Sequence, residues 1–472
     1  MTGDPLAWDA GAVTIAASVA AGDVSASEVT LAVLARIDAV DPALNAFTDR
    51  TAERALAEAD QIDAERARGG ALGPLAGVPF AVKNLFDIEG LATRAGSALN
   101  RSRPPATADG LLVRKLRAAG AVLTGALNMG EYAYDFTGEN AHDGVCRNPI
   151  EPDHMAGGSS SGSGAATAAG LAPISLGSDT NGSIRVPASF CGIFGLKPTY
   201  GRLGRSGTFP FCDSLDHLGP FARSVRDLAL AYDALQGPDP ADHACANRPP
   251  EPTAHSLDQG IAGLRIAVAG GWFQRRLTEP ARAAVTRIAE ALGAGAIVDL
   301  DDAEIARAAA FLITNAESAA LHLDRLRASA DAFDPDTRDR FFAGAMLPAA
   351  WLVDAQRARR AWAERLARLF REIDILIAPA TPGPAPAIGQ ATMVLDGVEM
   401  STRPNIGLFT QPISCAGLPV ACVPAALPGA LPIGVQLVAA PWREDLCLRA
   451  ARHLEQVGVS QPATPHPSLG LA

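Results

Sequence analysis

Cysteine, aromatic residues and charge are all scarce in this 472-residue chain, and no basic run interrupts it. The seven cysteines (Cys146, Cys191, Cys212, Cys245, Cys415, Cys422, Cys447) are scattered without a CxxC pair. That pattern excludes a disulfide framework or zinc knot and suits reduced, mostly buried thiols. The eight histidines, His142, His154 and His217 among them, show no HxH or HExxH spacing, so no metal is implied. A charged fraction of 19% is below the rough quarter of soluble domains, which sends much of the chain to interior or interface. With Lys+Arg 40 against Asp+Glu 51, neither nucleic acid nor a membrane is expected as a partner. The opening MTGDPLAWDAG has no basic stretch followed by an apolar one, so the expected setting is cytoplasmic.

One uncharged stretch, Pro404 to Trp442, is long enough to span a bilayer once. Its seven prolines would break any spanning helix repeatedly, and short buried strands at LPVACVP and LPIGVQLVAA, joined by the turn AALPGA, are predicted instead.

Along the chain, residues 1–68 read as an N-terminal helical layer, with Ser25 or Ser27 as N-cap before EVTLAVLARIDAV. GVPFAVKN then predicts a buried strand ending in Lys83, followed by the helix LLVRKLRAAG and the strand AVLTGALN. A Pro-rich connection over 237–259 precedes the strand LRIAVAGG, two helical stretches to about Leu369, and the strand IDILIAPATP. The tail, 460–472, is expected to fray. This alternation predicts an α/β fold, and without a repeat or clean linker the expectation is a single domain over 1–472.

Three segments could carry chemistry. Gly157–Gly164, GGSSSGSG, read alone is either a flexible linker or a tight loop. It lacks the Lys-Ser or Lys-Thr of a phosphate loop. It also contains GxSxG around Ser160, but the preceding RNPIEPDHMA is polar and Pro-broken, whereas a nucleophile elbow needs a core strand there. GSDTNGSIRVP, from Gly177, is either a polar turn or a place where consecutive backbone N–H groups converge on an oxyanion. Lys83 either snorkels from a strand end or, if buried, loses its charge and can act as a general base.

Taken in order, GVPFAVKN, GGSSSGSGAA and GSDTNGSIRVPASFCGIFGLKPTYGR, with SLDHLGPFARSV and LPIGVQLV, resemble the amidase signature family over about 75–442. The 24-position spacing from Ser159 to Ser183 also fits that family's two serines. The resemblance implies a large mixed β-sheet flanked by helices on both faces, and a Ser/cis-Ser/Lys triad. Ser183 would be the acylated nucleophile, Ser159 the bridge following a cis Gly158–Ser159 bond, and Lys83 the base. The backbone N–H groups of Thr180, Asn181, Gly182 and Ser183 would form the oxyanion hole. Asn181 departs from the glycine usual at its position, and its side chain is expected to narrow the site or meet a polar substrate.

Within the family, NMGEYAYDFTGENAHDG and DTNGSIR look most like the branch that hydrolyses carboxybiuret in s-triazine breakdown. That resemblance implies a small polar amide substrate, a homodimer or hetero-oligomer, a small helical subunit as partner, and no cofactor. Tyr134, Asp135, Asn140, Arg185 and His217 are the residues expected around its pocket. The alternatives are the glutaminase subunit of a tRNA-dependent amidotransferase and a broad-range amidase, both served by the same triad.

Overall fold

In the computed structural model, residues 3–471 are described except 426 and 428. Thirteen strands follow in chain order: β1 (Phe47–Arg50), β2 (Pro79–Lys83), β3 (Val122–Leu127), β4 (Ile174–Asp179), β5 (Phe194–Lys197), β6 (His217–Ala222), β7 (Ile266–Gly270), β8 (Ala296–Asp299), β9 (Ile375–Pro379), β10 (Thr392–Leu395), β11 (Val398–Ser401), β12 (Val420–Ala425) and β13 (Ile433–Val438). Eleven of them form one sheet in the order β1-β3-β2-β4-β6-β5-β12-β13-β9-β7-β8, while β10 and β11 make a separate hairpin. Pairing is parallel across β3-β2-β4 and β9-β7-β8 and antiparallel from β4 through β9, so the sheet is mixed.

Both faces are covered. Along β2, Phe80 and Val82 enter one hydrophobic core while Ala81 enters another, as the twofold alternation of a strand requires when both sides are dry. The second core holds the helix Ser161–Ala168 and Ala188 of the helix Arg185–Phe190, whose Val186 and Phe190 enter a third, smaller cluster, and the first takes in Val225–Leu235 and Glu279–Ala291.

The N-terminal layer is three helices, Ala12–Ala21, Ala26–Leu44 and Ala52–Ala67, and Ser25 caps the second in a reciprocal pairing with Glu28. It is not wholly helical as expected: β1 lies between the second and third helices and pairs antiparallel with β3. Between β7 and β9 there are four long helices, not two, since Ala303–Ser329, Pro335–Ala345 and Ala349–Leu369 follow one another after Glu279–Ala291. Prolines at the starts of the last two divide what reads as one periodic run.

The two strands predicted in the uncharged stretch are β12 and β13, paired from Val420↔Val438 to Ala425↔Ile433. The turn expected between them includes residues outside the described ones. No helix among the described residues is long and apolar enough to cross a membrane. All seven cysteines are free, six of them buried.

The tail expected to fray is tied down instead. The amides of Ala463 and His466 donate to the carbonyls of Gly192 and Pro149, and Leu469 is buried in the second core.

Candidate active site

The glycine-serine segment is no linker: residues 161–168 form a helix in which all eight residues are buried. Its small side chains permit the approach, because a Cβ on Gly162 would overlap the Ala46 carbonyl and the Asn128 backbone. The helix is stitched to β4, with the Ser163 hydroxyl donating to the Leu176 carbonyl at 2.9 Å and the Ser175 hydroxyl of β4 donating to the Ser163 carbonyl at 2.9 Å. Ser160, just before the helix, donates to the Ser178 carbonyl at 3.1 Å and accepts from the Ser178 amide at 3.3 Å. Its hydroxyl is a clasp between helix and strand, which agrees with rejecting the elbow.

The Gly158–Ser159 peptide bond is cis. Lys83, the last residue of β2, is fully buried, and its Nζ lies 2.6 Å from Ser159 Oγ and 2.9 Å from Ser178 Oγ. Burial drives the Lys83 ammonium down to about 7, and the charges of Asp216 and Asp179 only partly resist it. At neutral pH a large fraction of the amine is therefore unprotonated, with a hydroxyl within reach.

Ser183 belongs to the loop between β4 and the helix Arg185–Phe190. Gly182 has φ +143, and a Cβ there would strike the Thr410 side chain, so this loop position demands glycine. Thr410 Oγ1 donates to the Asn181 carbonyl at 2.7 Å, and Thr180 Oγ1 donates to Asp216 at 2.6 Å. None of the amides of Thr180, Asn181, Gly182 and Ser183 donates to a protein acceptor among the described residues. Asn181 Nδ2 is held by Thr314 Oγ1 at 2.8 Å, whereas its Oδ1 is buried without a partner.

Ser183 opens on a narrow cavity of about 30 Å³, lined also by Thr180, Asn181, Tyr134, Arg340 and Gln411. A larger cavity, about 210 Å³ and lined by Arg205, Asp216, Asp242 and His243, reaches Ser178 and therefore the lysine's second hydroxyl partner.

The five residues expected around the pocket divide. Tyr134 and Asp135 line the Ser183 cavity, and the Tyr134 hydroxyl is buried without a partner. The Asp135 carboxylate, however, is consumed by the amides of Thr137 and Gly138, the Thr137 hydroxyl and Arg403. Asn140, Arg185 and His217 are not among the residues lining this cavity. Asn140 uses its amide on the carbonyls of Gly96 and Met129 and its oxygen on the amides of His142 and Asp143. Arg185 is wholly buried, paired with Asp179 at 2.8 Å and bonded to Thr410 O, Ser414 and Gln436. Burial opposes the charge on Asp179, but Arg185 overrides it and holds the carboxyl well below its usual range. His217 Nδ1 is engaged with the carbonyls of Asp179 and Leu215, and burial, aided by Lys197, keeps its ring neutral well below the ordinary histidine range. Arg185 and His217 brace the end of β4 before the Ser183 loop, with His217 Nε2 left buried without a partner, while Asn140 ties together the backbone around Gly96, Met129 and His142.

Sequence reading missed Ser178, although it stands inside GSDTNGS. It also missed Thr314 and Arg340, which come from helices without any motif. No group of three His, Cys, Asp or Glu side chains suited to a metal occurs among the described residues.

Comparison with known proteins places this geometry. The family model described as Amidase matches residues 28–448. AtzE of Pseudomonas sp. (strain ADP), which belongs to a 1-carboxybiuret hydrolase, is 57% identical over 452 residues, covering 95% of this chain and 99% of that protein. A glutamyl-tRNA(Gln) amidotransferase subunit of Moorella thermoacetica is 37% identical over 479 residues, covering 95% and 96%. A solved chain from a vestigial protein complex, tied to the evolutionary origins of an s-triazine catabolic enzyme, superposes with a TM-score of 0.95 at 56% identity, covering 96% of this chain and 100% of that one. With the mixed sheet, the buried lysine–serine contact and the glycine-bounded serine loop, this match establishes that the chain belongs to the amidase family, whose members hydrolyse carbon–nitrogen bonds of amides.

Proposed function

We propose that this amidase hydrolyses the terminal amide of 1-carboxybiuret, releasing ammonia and leaving a urea that carries two carboxylates. The observation that carries the chemistry is the fully buried Lys83, its ammonium lowered to about 7 so that a neutral amine is available at neutral pH, 2.6 Å from Ser159 Oγ. A serine hydroxyl is a weak nucleophile without a base within reach, and a neutral amine supplies one. In this reading Lys83 takes the Ser159 proton while Ser159 takes that of Ser183. Ser183 Oγ then attacks the amide carbonyl, and the amides of the 180–183 loop receive the oxyanion, each donor worth about 3 kcal/mol. Collapse breaks the C–N bond, and the proton returns through Ser159 to the leaving nitrogen, which departs as ammonia. Water then attacks the acyl-Ser183 ester with the same base, regenerating the hydroxyl and freeing the carboxylate.

The substrate choice is supported by 57% identity to a component of 1-carboxybiuret hydrolase, against 37% to one of an amidotransferase. The same reading gives the chain a partner, supported by its likeness to a chain solved in a protein complex. The test is ammonia release from carboxybiuret, biuret, glutamine and a simple aliphatic amide, with and without a small helical partner, and with Ser183→Ala as control. Release confined to carboxybiuret and lost in Ser183→Ala is expected; release from glutamine instead would assign the glutaminase role.

A further inference from the structure

The cavity in front of Ser183 contains a charge that the mechanism above leaves unused. Arg340 lines it from the helix Pro335–Ala345. Its guanidinium carbon sits 5.4 Å from the centre of the Tyr134 ring, and one nitrogen donates to the Tyr134 carbonyl at 3.1 Å. Neighbouring arginines are committed elsewhere. Arg185 is spent on Asp179; Arg403 is spent on Asp135, Glu139 and Asp336; and Arg307 bonds Gln411, the Pro404 carbonyl and Asn405. Arg340 has no carboxylate within ion-pair distance among the described residues. A guanidinium offers five N–H donors in a planar fork, so most of its capacity is open, and the tyrosine face beneath it limits where the fork can point. In the same cavity wall, Asn181 Oδ1 is a buried acceptor without a donor. A buried acceptor of that kind costs roughly 1–3 kcal/mol until something donates to it.

We propose that Arg340 is the specificity-determining residue of this enzyme, binding the carboxylate of a small anionic amide whose N–H group is accepted by Asn181 Oδ1. The inference rests on the reaction assigned above and narrows its substrate class: an acyl amide bearing both a carboxylate and N–H donors satisfies the two open groups together, whereas a neutral amide leaves the guanidinium unmatched. A paired fork on a carboxylate also fixes orientation, which presents one carbonyl to Ser183.

The test uses matched substrates that differ by the carboxylate, carboxybiuret against biuret and succinamate against propionamide, on the wild-type protein with whatever partner its activity requires. Arg340→Gln is expected to lower the anionic-to-neutral ratio of kcat/KM roughly 10- to 100-fold, the worth of a hydrogen bond to a charged group, with the loss residing in KM. Arg340→Lys, which keeps the charge without the fork, is expected to recover part of that ratio and serves as the readout should the glutamine variant not fold. An unchanged ratio in both variants, or a wild-type protein that prefers the neutral member of each pair, overturns the proposal. The two readings fail separately. Arg340-dependent preference for succinamate with no turnover of carboxybiuret would sink the substrate assignment and keep this one, whereas carboxybiuret turnover with a ratio indifferent to Arg340 would do the reverse.

Discussion

Replacing Lys83 with methionine tests the buried amine through stability as well as through activity. Methionine keeps an unbranched side chain of similar length and cannot hold a proton. In the folded protein the Lys83 ammonium falls from its ordinary 10.5 to about 7, chiefly because it is buried. That drop corresponds to about 5 kcal/mol, at about 1.4 kcal/mol for each pH unit. Between pH 7 and 10 the unfolded chain binds a proton at this site and the folded chain does not, so wild-type stability climbs with pH on account of Lys83. Below about pH 7 both states are protonated and the contribution is constant at its least favourable. The methionine protein lacks this dependence. Its stability relative to wild type should therefore be most favourable at pH 7 and worsen by about 1.4 kcal/mol per pH unit, about 4 kcal/mol by pH 10. The hydrogen bonds lost to Ser159 and Ser178 lower the variant at every pH and drop out of the slope. Lys197, also driven to about 7 by burial, titrates in both proteins and cancels. Urea unfolding of the two proteins in parallel at four pH values gives the slope. A difference that stays constant from pH 7 to 10 would mean that Lys83 remains charged in the fold and would refute the neutral-base mechanism.

Four further outcomes are expected. Ser183→Ala should lose at least 1,000-fold in ammonia release with an unchanged circular dichroism spectrum, roughly the scale seen when a nucleophile is removed. Ser160→Ala should keep most of its turnover and lose about 1 kcal/mol in urea unfolding, since its hydroxyl bonds only the Ser178 backbone. The pH profile of kcat/KM should rise about tenfold per unit up to about pH 7 and then level, because only the neutral amine accepts a proton; a flat profile from pH 5 to 8 would contradict this. Arg185→Met should cost roughly 3–5 kcal/mol of stability by stranding the buried Asp179 carboxylate, and adding Asp179→Asn should recover part of it in the same unfolding assay.

How legible each feature was depended on how local its cause is. The strand that ends at Lys83 is bounded by its own Gly, Pro and Asn, and the Ser25 cap is completed by Glu28 three residues on, so both were readable. The first strand was not: FTDR has no apolar alternation and is a strand only because β3 offers it an edge. The glycine-serine helix defeats composition for a similar reason, since what makes Gly162 necessary is the Ala46 carbonyl, distant in sequence. Family motifs picked out Lys83, Ser159 and Ser183 together. Arg185 sits beside Ser183 in the chain but turns back to Asp179, whereas Arg340, far away in sequence, faces the cavity. No local pattern encodes that exchange.

The antiparallel hairpin β12–β13 has a consequence for how the protein comes into being. Among the described residues it is the link through which sheet pairing runs from the strands β1 to β6 to β9, β7 and β8, because β12 pairs with β5 and β13 with β9. Arg185, two residues after Ser183, reaches Gln436 across 251 positions of sequence. During synthesis the loop that carries Ser183 therefore leaves the ribosome well before the strand that supplies Gln436. A chain that ends before β12 lacks both the pairing that joins the two parts of the sheet and the Gln436 partner of Arg185, so the brace of the Ser183 loop is assembled from residues made late.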